Sequence, residues 1–97
     1  LLLNQSNKVI DKMKISSGGI SETSVDVRCI LREALMKRAV SIILCHNHPS
    51  GNVRPSTEDD KLTTRVREAG SFMNINLADH VIVCDGRYYS YVDEGRI

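Results

Sequence analysis

The sequence predicts an α/β domain. Three observations carry that expectation. Val40 to Cys45 is a short, nearly all-apolar run, as in a strand buried on both faces. On either side of it, apolar residues recur at helical spacing. Near the C-terminus, Asp85-Gly86 separates two strand-like runs.

The elements follow in order. Leu1 to Leu3 read as the end of a strand, and Asn4, Gln5, Ser6 and Asn7 as turn chemistry. Apolar residues alternate loosely from Lys8 to Ile15, which predicts a second strand paired with the first. Ser16 to Thr23, with Gly18 and Gly19, reads as a loop. It is no phosphate cradle, because no Lys-Ser/Thr follows it. Asp26 is placed to cap a helix whose face is Val27, Ile30, Leu31, Ala34 and Leu35, running to about Arg38. The buried strand Val40 to Cys45 comes next, then a polar loop from His46 to Pro55. Ser56 opens a second helix, with Leu62, Val66 and Ala69 inward, ending at Gly70. Ile75 to Ala78, Val81 to Cys84 and Arg87 to Val92 read as strands, giving the order β-β-α-β-α-β-β-β.

The 97 residues are enough for a single small domain, 1–97. The first residue is Leu1, not Met, so the chain is expected to be a piece of a longer protein. At 41% hydrophobic and 26% charged, the composition is ordinary for a globular domain. The longest apolar run is far too short to span a bilayer, so no membrane association is expected. A net charge of +1 provides no bulk attraction to nucleic acid or anionic lipid. Cys29, Cys45 and Cys84 are odd in number and lack CxxC spacing, which fits buried thiols and a cytoplasmic location better than a disulfide framework.

The informative segment is Cys45-His46-Asn47-His48-Pro49, followed by Ser56-Thr57-Glu58-Asp59. Histidines at i and i+2 point to one side of an extended backbone, so both imidazoles can reach one ion at roughly 2.0 Å. Asp59 falls in the first turn of the next helix, where the dipole favours a carboxylate, and can close a third contact. His46, His48 and Asp59 would leave a fourth position for water, the pattern of a catalytic zinc site. Taken singly, each feature has a blander reading: the histidines as polar loop residues, and Ser56-x-x-Asp59 as a capping pair. Together, HxHP and SxxD, with seven residues between His48 and Ser56, are far more specific.

The run HNHPSGNVRPSTEDD resembles the RadC family of bacterial proteins, a branch of the JAB/MPN superfamily that carries the JAMM metalloprotease motif. The similarity extends over nearly the whole chain, through Glu68-Ala69-Gly70, Asp79-His80-Val81-Ile82-Val83 and Asp85-Gly86. It implies a cytidine deaminase-like three-layer sandwich with a mixed β-sheet and two main helices. It implies Zn2+ on His46, His48 and Asp59, with Ser56 as the catalytic serine that stabilises an oxyanion. The implied activity is metal-assisted hydrolysis of a peptide or isopeptide amide. The family's general-base glutamate stands just before the first strand and would precede Leu1. Of the acids present, Glu22, Glu33 and Glu58 lie nearest the relevant elements. The 97 residues alone are therefore expected to bind zinc and hydrolyse poorly.

Other features are weaker. His80 follows Asp79 at a strand start and reads mainly as a satisfied, partly buried histidine, with a supporting role at the metal as the alternative. Cys45 should point away from both histidines. Tyr88, Tyr89 and Tyr91 beside Arg87 read as sheet aromatics before a base-stacking surface. The alternative function is a DNA-repair-associated module acting by binding without catalysis. In the RadC family, nucleic-acid contact would come through an N-terminal helix-hairpin-helix segment not found among these residues. Deamination is disfavoured by HxH in place of HxE and by the missing CxxC pair. An HEXXH helix is absent too.

Overall fold

The computed structural model describes residues 1–13, 26–48 and 51–97. The chain forms β1 (Leu2–Leu3), β2 (Val9–Asp11), α1 (Val27–Met36), β3 (Ser41–Asn47), α2 (Thr57–Phe72), β4 (Asn76–Cys84) and β5 (Arg87–Ser90). The five strands make one sheet in the order β2-β1-β3-β4-β5. Among the described residues, only β3 and β4 pair in parallel. α2 is the crossover that such a parallel pair requires. The result is α/β, a mixed sheet with two helices, compatible with a JAB/MPN-like sandwich. The predicted loop at Ser16 to Thr23, the end of the predicted Lys8 to Ile15 strand, Glu22 and Pro49 lie outside the described residues.

Local chemistry explains the boundaries. Asn4 accepts from the backbone N–H groups of Ser6 and Lys8, and Asn7 takes φ 59°, closing the β1–β2 turn. Asp26 caps α1 by accepting from the Arg28 N–H at 2.9 Å. Val27, Ile30, Leu31 and Ala34 form the buried stripe of α1, whereas Leu35 is exposed. Asp85 and Gly86 take φ 47° and 73°, the left-handed pair that a two-residue hairpin turn needs.

Four boundaries need correction. The last strand, β5, ends at Ser90 and not at Val92. β3 does not stop at Cys45, because β4 is long enough to pair with His46 and Asn47 as well. α2 does not stop at Gly70 but continues to Phe72, and Asn74 makes the left-handed turn instead, at φ 57°. The predicted strands Ile75 to Ala78 and Val81 to Cys84 are one strand, β4, with a bulge inside it.

Gly70 is needed for close approach. A Cβ there would lie 2.5 Å from the Ile75 carbonyl oxygen. Gly70→Ala is expected to destabilise the fold by about 1–3 kcal/mol, read as a lower urea midpoint at unchanged slope.

One core joins both helices to the sheet. Val27, Ile30, Leu31 and Ala34 of α1 and Val66 of α2 pack with Leu2, Ile42, Ile75 and Leu77. Contrary to the buried-thiol expectation, Cys29 and Cys45 are exposed and Cys84 is half-buried; all three are free thiols. Among the described residues, no helix is long and apolar enough to cross a membrane.

Candidate metal centre

The site forms where the C-terminal end of β3 meets the N-terminus of α2. Alternate residues of a strand share a face. Ile42 lies in the core and Leu44 packs against it. His46 continues that row at the strand's end, and His48 stands one step beyond it. Exposed Cys45 occupies the opposite parity, as expected. The His48 N–H still donates to the Val83 carbonyl at 3.2 Å, so β4 guides the chain to this point.

α2 begins with a capping box. Ser56 Oγ accepts from the Asp59 N–H at 3.1 Å, and Asp59 Oδ2 accepts from the Ser56 N–H at 2.7 Å. The Ser56 hydroxyl hydrogen also goes to Asp59 Oδ2, at 2.9 Å. Ser56 therefore positions the carboxylate. Donating to an oxyanion, as the resemblance implies, would require its hydroxyl to rotate away from Asp59.

The carboxylate meets both imidazoles. His46 Nε2 is 3.0 Å from Asp59 Oδ1, and His48 Nε2 is 3.0 Å from Oδ2. The two rings lie edge to face, 4.9 Å apart. His48 Nδ1 lies 2.8 Å from the Asn52 carbonyl oxygen. A carbonyl only accepts, so Nδ1 carries a hydrogen; in the tautomer that can ligate a metal, Nε2 then turns its lone pair toward Asp59 Oδ2. Metal-ligating histidines are commonly oriented by this kind of bond. His46 Nε2 is buried and makes no hydrogen bond despite its 3.0 Å distance from Oδ1, because the directions are wrong. A bare His48 Nε2 facing a carboxylate oxygen repels it unless a positive charge stands between them, and the buried Nε2 of His46 lacks a partner too. Two imidazoles and one carboxylate fit zinc, or another borderline divalent ion, in that place.

Electrostatics agree with this geometry. Burial pushes the His46 imidazole below its ordinary pKa, although Asp59 pulls it upward. Burial also opposes ionisation of Asp59, yet the Ser56 hydrogen bonds and the two histidines outweigh it and hold the carboxyl below the usual range. At neutral pH the site therefore has an ionised carboxylate beside a neutral His46, the protonation states that metal binding needs.

A family model described as the RadC-like JAB domain matches residues 1–96. The chain belongs to the RadC-like JAB domain family. It is 53% identical over 96 residues to a UPF0758 protein of Porphyromonas gingivalis, covering 98% of this chain and 42% of that protein. It is 47% identical over 95 residues to a UPF0758 protein of Flavobacterium johnsoniae, with 98% and 42% covered. A UPF0758 protein of Clostridium perfringens is 49% identical over 88 residues, covering 91% and 39%. The chain thus spans about two fifths of the length of these curated relatives.

One member of this RadC-like site is poorly legible in the sequence. His80 is not partly buried but wholly so, and it is not fully satisfied. One ligand atom each from His46, Asp59 and His80 lie within 4.8 Å of one another. Asp79 does not orient the ring. It accepts from the backbone N–H groups of His80 and Val92 and from the Ser90 hydroxyl. Thr63 of α2 touches the ring instead, 2.6 Å from Nδ1. Tyr91, buried just past β5, stacks flat on the ring at 4.8 Å. Burial, with nearby His46 adding to it, lowers the His80 pKa to about 4, so the ring is neutral.

The candidate bases stand apart. Glu33 pairs with Arg32 at 3.1 Å on α1. Glu58 is exposed beside Lys61. Beside His48 the RadC-like domain opens into a groove of about 510 Å³, bordered by Val83, Asp85, Arg87 and Tyr88. Arg87 donates to the Gly51 carbonyl, tying the loop after His48 to the β4–β5 hairpin.

Proposed function

We propose that this RadC-like JAB domain holds one zinc ion on His46, His48 and Asp59 and serves a metal-dependent hydrolase acting on a peptide or isopeptide amide. The observation that carries this reading is the meeting of two imidazole Nε2 atoms, each 3.0 Å away, with the two oxygens of a single carboxylate. When bound, the ion would supply Lewis acidity, polarising the amide carbonyl and making water nucleophilic near neutral pH.

The residues around it have separate tasks. The Asn52 carbonyl fixes the tautomer of His48. Ser56 aims Asp59 through its N–H and its hydroxyl. The groove beside His48 gives an extended chain room to approach, and Arg87 braces its wall. These three protein donors leave room for water on the ion, in the fourth place of a tetrahedron or in a fifth place, which suits hydrolysis better than a structural role.

Elemental analysis tests the reading. The wild-type chain should retain about one zinc per molecule after exhaustive dialysis, and His46→Ala about none. In the protein as it exists in the cell, His48→Ala should lower turnover of a peptide-bond reporter by more than about 100-fold. Unchanged turnover would refute the hydrolase role while leaving metal binding intact.

A further inference from the structure

We infer that His80 is a further ligand of the same ion, donating through Nε2, and that Thr63 is the residue that fixes its tautomer. The inference rests on the metal-binding reading above and deepens it.

The backbone aims the ring. In the parallel β3–β4 pair, Ile42 faces Leu77, but Ile43 faces Asp79, so Ala78 is an extra residue in β4. Without that bulge, alternation from Leu77 would send His80 to the far face. With it, His80 pairs with Leu44 and Ile82 pairs with His46, all on the site's side of the sheet. Bulges commonly re-aim a side chain beside an active site.

Hydrogen bonding then selects the nitrogen. The Thr63 hydroxyl donates to the Asp59 carbonyl oxygen at 2.8 Å, which consumes its only hydrogen. Toward His80 Nδ1, 2.6 Å away, that oxygen can only accept. Nδ1 therefore carries the hydrogen, and Nε2 is a bare lone pair. It is buried and without a hydrogen-bond partner. The Tyr91 hydroxyl does not serve it, since that group donates to Asp60 at 2.7 Å. A buried, unpaired acceptor is destabilising and calls for an explanation, which an ion shared with His46 and Asp59 provides. The same Thr63 oxygen links the ring to the helix turn that carries Asp59, so both donors are set by one hydroxyl.

Three imidazoles and a carboxylate would fill a tetrahedron. Water would then need a fifth position or the departure of one donor, so the resting ion is more protected than a three-donor site implies.

Cobalt(II) loaded in place of zinc tests this, because its visible bands report the number and kind of ligands. His80→Asn leaves an amide N–H to serve Thr63 while deleting Nε2. It should shift the cobalt bands and weaken cobalt and zinc binding by about 10-fold or more, measured by chelator competition. Thr63→Val, which frees the tautomer, should weaken binding by about 10-fold. Unchanged bands and affinity in a folded His80→Asn protein would overturn the inference. If His80→Asn does not fold, unchanged affinity in Thr63→Val overturns it. A wild-type chain that takes up neither metal would sink the proposed function itself. Wild-type uptake that is lost in His46→Ala yet untouched in His80→Asn would sink only the role given to His80.

Discussion

Adding zinc to the metal-free chain is expected to raise its stability by about 4 kcal/mol when free zinc is about a thousand times the dissociation constant. For a domain of this size, that is a rise in melting temperature on the order of 20 °C. The donors come from the end of β3 and the first turn of α2, so the unfolded chain does not hold them together. His46→Ala should remove the zinc-dependent rise. Asp59→Ala should do so too, and it should lower the metal-free stability by about 1 kcal/mol because the capping box goes with it. The quantity to compare is therefore the shift on adding zinc, measured for each variant by thermal unfolding. An equal shift in wild type and His46→Ala would contradict the assignment.

The metal-free chain is expected to lose about 3 kcal/mol as pH falls from above 6.5 to below 4, since His80 is lowered from 6.5 to about 4 and each unit is worth about 1.4 kcal/mol. The sign follows from proton counts. Between those values the unfolded chain binds a proton at His80 that the folded chain refuses. Stability is then fully present above the unfolded value and is lost as pH falls through the folded one. His46, also lowered, acts in the same direction. Asp59 adds to the loss once its own carboxyl is protonated, because its folded form too is held below the ordinary value. Urea unfolding with chelator present, run from pH 7 down to pH 4, would reveal this slope. A flat profile would show that His80 is hydrated in the folded state. With zinc present, protons compete for the same nitrogens, and release of the ion should fall in the same range.

The parts of the fold that were legible are those governed by local chemistry. Asp26 as a cap, Asp85-Gly86 as a hairpin turn and the stripe Val27, Ile30, Leu31, Ala34 depend on near neighbours, and each is found where the pattern puts it. The parts that differ depend on how the backbone folds back or on tertiary partners. Gly70 looks like a helix terminator, yet Asn74 takes the left-handed turn, and Gly70 answers to the carbonyl of Ile75, which the turn at the end of α2 folds back against it. β3 runs on to Asn47 because its neighbour β4 is long, which no window around His46 reveals. At the site, the i, i+2 histidines and the SxxD pair were readable because each lies on one local element. His80 was not, because its direction depends on an extra residue at Ala78 and its tautomer on Thr63, 17 residues away. The split that the apolar pattern placed between Ala78 and Val81 falls at this bulge.

Zinc K-edge absorption on the loaded chain probes the convergence of His46, His48 and Asp59 on one ion most directly. The prediction is a first shell of nitrogen and oxygen at about 2.0 Å with outer-shell scattering from at least two imidazoles, reduced in His46→Ala. A shell containing sulfur at about 2.3 Å, or one without imidazole scattering, would contradict it.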